Sequence, residues 1–274
     1  MAILDFGPAD RPPDLLFLHA NGFNALTYRR ILAPLADRCR ILAIDQRGHG
    51  STTLPTRADN RTDWDDFRND LLALLTVLDI RSVVLAGHSM GGASCLGAAA
   101  RAPERIRRML LLDPVILPRE MIDGVGHGER PHSPLIEGAR RRRAEFASRA
   151  QAFEAYRRRS AFAGWPDDML ADYVADGFHD LPNGHVRLAC EPAWEASTFL
   201  AQANDPWRDF AATRCPIEIL KAEHGSTCRI EGQEGALTAG GRITLEIVPG
   251  SSHFLPMERS ELAIDCLARA LAAD

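Results

Sequence analysis

Val83-Val84-Leu85-Ala86-Gly87-His88-Ser89-Met90-Gly91-Gly92-Ala93 is the stretch on which the fold turns. A short apolar run leads into Gly-x-Ser-x-Gly, and small residues then open a helical pattern. Strand, sharp turn and helix form the context in which this motif serves as a nucleophile elbow. The serine has to sit at a strained turn, where side chains on its neighbours would clash. Gly87 and Gly91, with Gly92 and Ala93 behind them, remove those side chains. The turn lifts the Ser89 hydroxyl above the sheet. It also places the Met90 N–H at a helix N-terminus, where backbone donors are free and the dipole favours negative charge. Ser89 is therefore the candidate nucleophile, and Met90 supplies one candidate donor to an oxyanion. Without chemistry the same residues make a plain Gly-Ser-Gly turn. The partners found further along the chain argue against that.

Working outward, Leu15–Leu18 is a continuous apolar run, as expected of a strand covered on both faces. Cys39–Asp45, Met109–Pro114, Pro216–Lys221 and Thr244–Val248 read as further strands. Between them lie helical patterns. Thr27 to Ala36 is one. A second runs from Thr62, read as its N-cap, to Leu78, with Trp64, Phe67, Leu71, Leu74, Leu75 and Leu78 at helical spacing. A third spans about Glu258 to Leu271. Strands alternating with helices predict an α/β fold with a mostly parallel central sheet flanked by helices. Ligands then bind beyond the carboxyl ends of the strands. Fourteen residues precede Leu15, so residues 2–6 are expected to add at most one edge strand.

The alternation stops between 115 and 206. This stretch reads as helical, without a convincing buried strand, and is rich in arginine and aromatic residues. It carries the runs Arg140–Arg143 and Arg157–Arg159, and Phe162, Trp165, Phe178 and Trp194. It is read as a helical lid or cap inserted into a core made of 1–114 and 207–274. Its arginines fit either a solvated helical face or recognition of an anionic substrate group. The aromatics read as the lid's own core.

The 274 residues, 46% hydrophobic with a net charge of −5, describe an ordinary soluble domain and give no sign of a nucleic-acid partner. The first residues show no signal-peptide pattern, and no apolar run has the length of a membrane span. Six scattered cysteines indicate neither a zinc site nor a disulfide framework, so reduced thiols in a cytoplasmic protein are expected. No cofactor or metal is expected. His127, Glu129 and His132, taken with His179 or His185, match no common metal spacing. The expected partner is a small-molecule substrate, with the chain a monomer or homodimer and no membrane association.

Four ordered motifs now stand together: His19-Ala20-Asn21-Gly22, Asp45-Gln46-Arg47-Gly48-His49-Gly50-Ser51, the elbow, and Gly250-Ser251-Ser252-His253-Phe254. With them the chain resembles the α/β-hydrolase superfamily over nearly its whole length. The resemblance implies Ser89 as nucleophile, His253 as general base and then acid, and the N–H groups of Asn21 and Met90 as an oxyanion hole. His19 would brace the oxyanion loop, while His49 and His88 read as packing residues. The superfamily usually carries its acid in the loop after the Ile217–Lys221 strand, but Gly225 stands where aspartate is most often found. Glu223 is the alternative acid there. Asp113 is preferred, because it ends a buried strand where an unpaired carboxylate would be costly. Some superfamily members, certain haloalkane dehalogenases among them, keep their acid at that strand end.

The implied activity is that of a serine hydrolase, cleaving a small carboxylic ester, thioester or lactone through an acyl-enzyme intermediate. Two alternatives stay open. One is hydrolysis of a carbon–carbon bond in a ring-cleavage product, which would call for an arginine facing the substrate. The other is a ligand sensor on a hydrolase scaffold.

Overall fold

The computed structural model describes residues 1–126 and 134–273. Among them run ten strands: β1 (Ile3–Phe6), β2 (Leu15–Leu18), β3 (Ile41–Ile44), β4 (Val83–His88), β5 (Ile106–Leu112), β6 (Glu145–Phe146), β7 (Phe178–Asp180), β8 (Val186–Leu188), β9 (Ile217–Ala222) and β10 (Ile243–Val248). Seven form one sheet in the order β1-β3-β2-β4-β5-β9-β10. β1 is an antiparallel edge strand on β3, and every other neighbour is parallel.

β2, β3 and β4 are buried at every residue, which is why their sequences show no polar alternation. The period of two instead divides each strand between two apolar layers. Leu15 and Phe17 pack with Tyr28, Ile31 and Leu267, whereas Leu16 and Leu18 pack with Leu71, Leu75 and Leu96. Helices Arg29–Leu32 and Ser260–Ala272 cover the first layer. Helices Asp65–Val77 and Met90–Arg101 cover the second.

Three boundaries differ from the sequence reading. The Thr62 hydroxyl does not cap a helix; it donates to Asp63, and the helix starts at Asp65 with Trp64 before it. The Trp64 N–H is met by Asn204 instead, a partner 140 residues away. The expected 27–36 helix breaks into 3₁₀ turns around a single α turn, the second of them holding Pro34, whose ring nitrogen cannot donate. The last helix begins at Ser260, after a separate turn over Leu255–Glu258.

Between β5 and β9 the chain leaves the sheet. It is not wholly helical there, as the sequence had led us to expect. β6, β8 and β7 form a small antiparallel sheet in that order. Two- and three-residue strands are too short for alternation to register in sequence. Helix Asp167–Asp176 fastens this stretch to the core. Asp172 takes a two-pronged bond from Arg29 at 2.8 and 2.9 Å, and Asp168 pairs with Arg30 at 2.6 Å. No helix among the described residues is long and apolar enough to cross a membrane.

Candidate active site

Ser89 lies between the end of β4 and helix Met90–Arg101, with φ at +57°. A non-glycine residue rarely adopts this region, and its cost is borne by the packing around it. The turn fits only because of what is missing beside it. A Cβ on Gly91 would lie 2.2 Å from the Leu18 carbonyl oxygen, and one on Gly87 would lie 2.5 Å from the Gly91 carbonyl carbon. The Ser89 hydroxyl is 3.0 Å from His253 Nε2, and His253 Nδ1 is 2.6 Å from Asp113 Oδ2. A carboxylate only accepts, so Nδ1 carries the imidazole proton and Nε2 faces the serine as an acceptor.

Asp113 follows β5 and is also held at positive φ, +41°. It is fully buried, yet its carboxylate meets four donors. Oδ1 accepts from the Ala222 N–H and the Ser226 hydroxyl, and Oδ2 from the Thr227 N–H and His253. Burial pushes this carboxyl up. The His253 bond and charge, with the Ser226 and Ala222 donors, outweigh that and hold it below the ordinary carboxylate value. Glu223, the alternative acid, is half-exposed, accepts from the Gly250 N–H at 2.8 Å and lies beside His224. The loop after β9 thus brings hydroxyl and amide donors to Asp113. Ser226 and Thr227 went unread in the sequence. Their only signal was a Ser-Thr pair beside the position where the superfamily most often carries its acid.

Asn21 and Met90 lie at the ends of β2 and β4. Met90 opens its helix, so its N–H has no carbonyl partner within that helix. The Ala20–Asn21 peptide is fixed through its carbonyl, which accepts from His19 Nδ1 at 2.7 Å and from the Phe23 N–H at 3.1 Å. Peptide planarity then aims the Asn21 N–H the opposite way. Hydrogen bonds into that carbonyl also polarise the peptide and strengthen its N–H as a donor. His19 Nε2 accepts from the Gln46 N–H at 3.0 Å. His49, read from sequence as packing, instead accepts from the Gly22 N–H at 3.0 Å. Burial lowers His19 to about 4, His88 to about 3 and His49 well below its ordinary value. All three are therefore neutral near pH 7, each with one nitrogen to donate and one to accept.

Comparison with known proteins bears on this geometry. The model of the "Alpha/beta hydrolase family" matches residues 15–265. The chain belongs to that family. Among its relatives, a 2-(acetamidomethylene)succinate hydrolase of Mesorhizobium japonicum is 22% identical over 262 residues, covering 95% of this chain and 88% of that one. A crystal structure of E-2-(acetamidomethylene)succinate hydrolase superposes with a TM-score of 0.77 at 20% identity, covering 99% of this chain and 94% of the other. A thioesterase domain from the curacin biosynthetic pathway gives 0.74 at 15% identity, over 97% and 94%. At these identities the two structures speak to the fold alone.

In this alpha/beta hydrolase most described arginines of the 115–206 stretch face solvent, as Arg141 and Arg158 do. Arg142 does not. Only 10% of its side chain is exposed, and it donates to Glu195 at 2.8 Å and to the Tyr156 and Tyr173 hydroxyls. Tyr173 reaches on to the Gly22 carbonyl, and the Asn21 side-chain amide donates to the Glu195 carbonyl. A buried, compensated ion pair thus rests against the loop that carries Asn21. Phe162 and Trp165 pack on Phe254, beside His253, and Trp194 packs on Phe67 beneath the core loop that it bonds at Arg47. Phe178 stays within the stretch, against Phe146 and Tyr156. Of the residues weighed for a metal, His127, Glu129 and His132 lie outside the described residues. His185 pairs with Glu145. Among the described residues no group of three histidine, cysteine, aspartate or glutamate side chains is placed to hold a metal ion.

Proposed function

We propose that this protein is a serine hydrolase that cleaves a small, uncharged carboxylic ester, thioester or lactone through an acyl-enzyme. The observation that carries the reading is the continuous chain from the Ser89 hydroxyl through His253 to Asp113. Ser89 Oγ attacks the substrate carbonyl carbon and its proton passes to His253 Nε2. Asp113 stabilises the imidazolium and remains ionised. The tetrahedral oxyanion accepts from the N–H groups of Asn21 and Met90. Collapse expels the leaving group, which takes the proton from His253. Water then attacks the acyl carbon and gives a proton to His253; the second collapse releases the acid as His253 returns that proton to Ser89 Oγ. The 115–206 stretch acts as the lid that excludes bulk water.

The charge balance among the described residues supports an uncharged substrate. The buried guanidinium beside the Asn21 loop, Arg142, is compensated by Glu195, so it offers no free cation to a carboxylate. That weakens the reading as a hydrolase of acidic ring-cleavage products.

A fluorophosphonate probe tests the proposal. Intact mass should rise by one adduct on the wild type and by none on Ser89→Ala. A folded wild type that takes no adduct would overturn the reading.

A further inference from the structure

We infer that Tyr28 and His88 are positioning residues for the reaction, forming a one-way hydrogen-bond relay from the oxyanion loop to the backbone of the base. The inference rests on the hydrolase reading above. The Ala20 N–H lies 3.2 Å from Tyr28 Oη, Tyr28 Oη lies 2.7 Å from His88 Nδ1, and His88 Nε2 lies 2.8 Å from the His253 carbonyl oxygen.

The chemistry of the two ends dictates the direction of every link. The Ala20 N–H can only donate, so Tyr28 Oη accepts there and gives its single proton to His88 Nδ1. His88 must then carry its own proton on Nε2, where it meets a carbonyl that can only accept. The opposite tautomer fails at both ends. It would set a bare nitrogen against the His253 carbonyl and leave the phenolic proton without an acceptor, in a place closed to water. Tyr28 and His88 have no exposure, and Ala20 has 3%. An unmet polar group there is costly. Burial also keeps the His88 ring neutral beside His253, Asp113 and His19, the titratable groups that act on it.

The relay has a distinct task because of what its ends hold. Ala20 begins the peptide that presents the Asn21 N–H, and His19 and Phe23 already fix the carbonyl side of that peptide. The other end fixes the main chain of the residue that takes the Ser89 proton. Oxyanion donor and base are set by separate loops after β2 and β10, and the relay ties one to the other through the residue that precedes the nucleophile. A loss of that tie should act on turnover and leave substrate binding almost unchanged.

Histidine ¹⁵N spectra of the full chain, combined with kinetics on an ester that the wild type turns over, test this. We expect His88 as the Nε2–H tautomer, without titration from about pH 5 to about pH 9. Its Nδ1 resonance should move in Tyr28→Phe, which removes only the hydroxyl. That variant should lose about tenfold in kcat, with KM within about twofold. His88→Gln, whose amide reaches the Nε2 position, should keep more activity than His88→Asn, whose amide stops at Nδ1. A wild type that labels with fluorophosphonate while His88 is protonated on Nδ1, or titrates in that range, would refute the relay alone. An unchanged kcat in Tyr28→Phe would do the same. A wild type that takes no label would refute the hydrolase reading, and the catalytic part of this inference with it.

Discussion

At Asp113 two opposing demands meet in one side chain. Full burial favours the neutral acid, whereas the proposed orienting of His253 requires the carboxylate. Four donors decide the matter for the carboxylate. Asp113→Asn should therefore keep the fold and lose roughly 10⁴ in kcat, because an amide stabilises the wrong imidazole tautomer. Glu223→Gln, which alters a half-exposed contact with Gly250, should stay within about twofold by comparison. The same depressed carboxyl carries a stability signature. Below the unfolded value of about 3.9, the unfolded chain takes up the proton before the folded one does. The stabilisation from Asp113 is thus complete above about pH 4 and is lost as pH falls through the native value. Denaturant titrations should show a steeper acid loss of stability in the wild type than in Asp113→Asn. Equal slopes would mean that the carboxyl is not depressed.

Among the elements, the loop after β9 departs furthest from expectation. It satisfies the acid at the end of the neighbouring strand through Ser226 and Thr227. Ser226→Ala removes one donor from a buried carboxylate and should lower kcat roughly three- to tenfold, on the order of one ordinary hydrogen bond. An unaffected kcat would show that the remaining donors suffice. This loop also marks where sequence reading stops. The central parallel strands β2 to β4 were legible because burial on both faces writes itself as continuous apolar runs. Ser89 and His253 stood out because each follows a strand pattern within a glycine-bearing motif, although the strand before His253, β10, lies at the sheet edge and alternates with polar residues. Sequence favours Asp113 over Glu223 only through the cost of an unpaired carboxylate at a buried strand end; which strand end faces the histidine across the sheet is not written in it. Tyr28, His88 and Arg142 escaped for a similar reason. Their partners lie 8 to 165 residues away, and no local pattern records such a meeting. The strands β6 to β8 were missed because elements so short carry no period.

For the molecule as a whole, the Arg142–Glu195 pair joins two parts of the 115–206 stretch where it meets the core. Arg142→Met alone leaves a carboxylate buried without its partner and should cost about 3–5 kcal/mol. Arg142→Met with Glu195→Leu removes both charges and should recover most of that loss, as seen in the urea midpoint. Failure of the double variant to recover would assign the pair's value to shape rather than charge. The bonds around this pair also bear on how substrates are chosen. Tyr173 holds the Gly22 carbonyl, Glu195 holds the Asn21 side chain, and Asn24 holds the Tyr173 carbonyl at 2.9 Å. On the proposed reading of the 115–206 stretch as a lid, opening it would undo the contacts that steady the Asn21 loop, and discrimination would fall at closure, by induced fit. Across a series of acyl groups of rising bulk, kcat should drop well before KM climbs. On that reading an oversized ester would be admitted, held and released unchanged, a sieve that works by timing where a rigid pocket would work by exclusion.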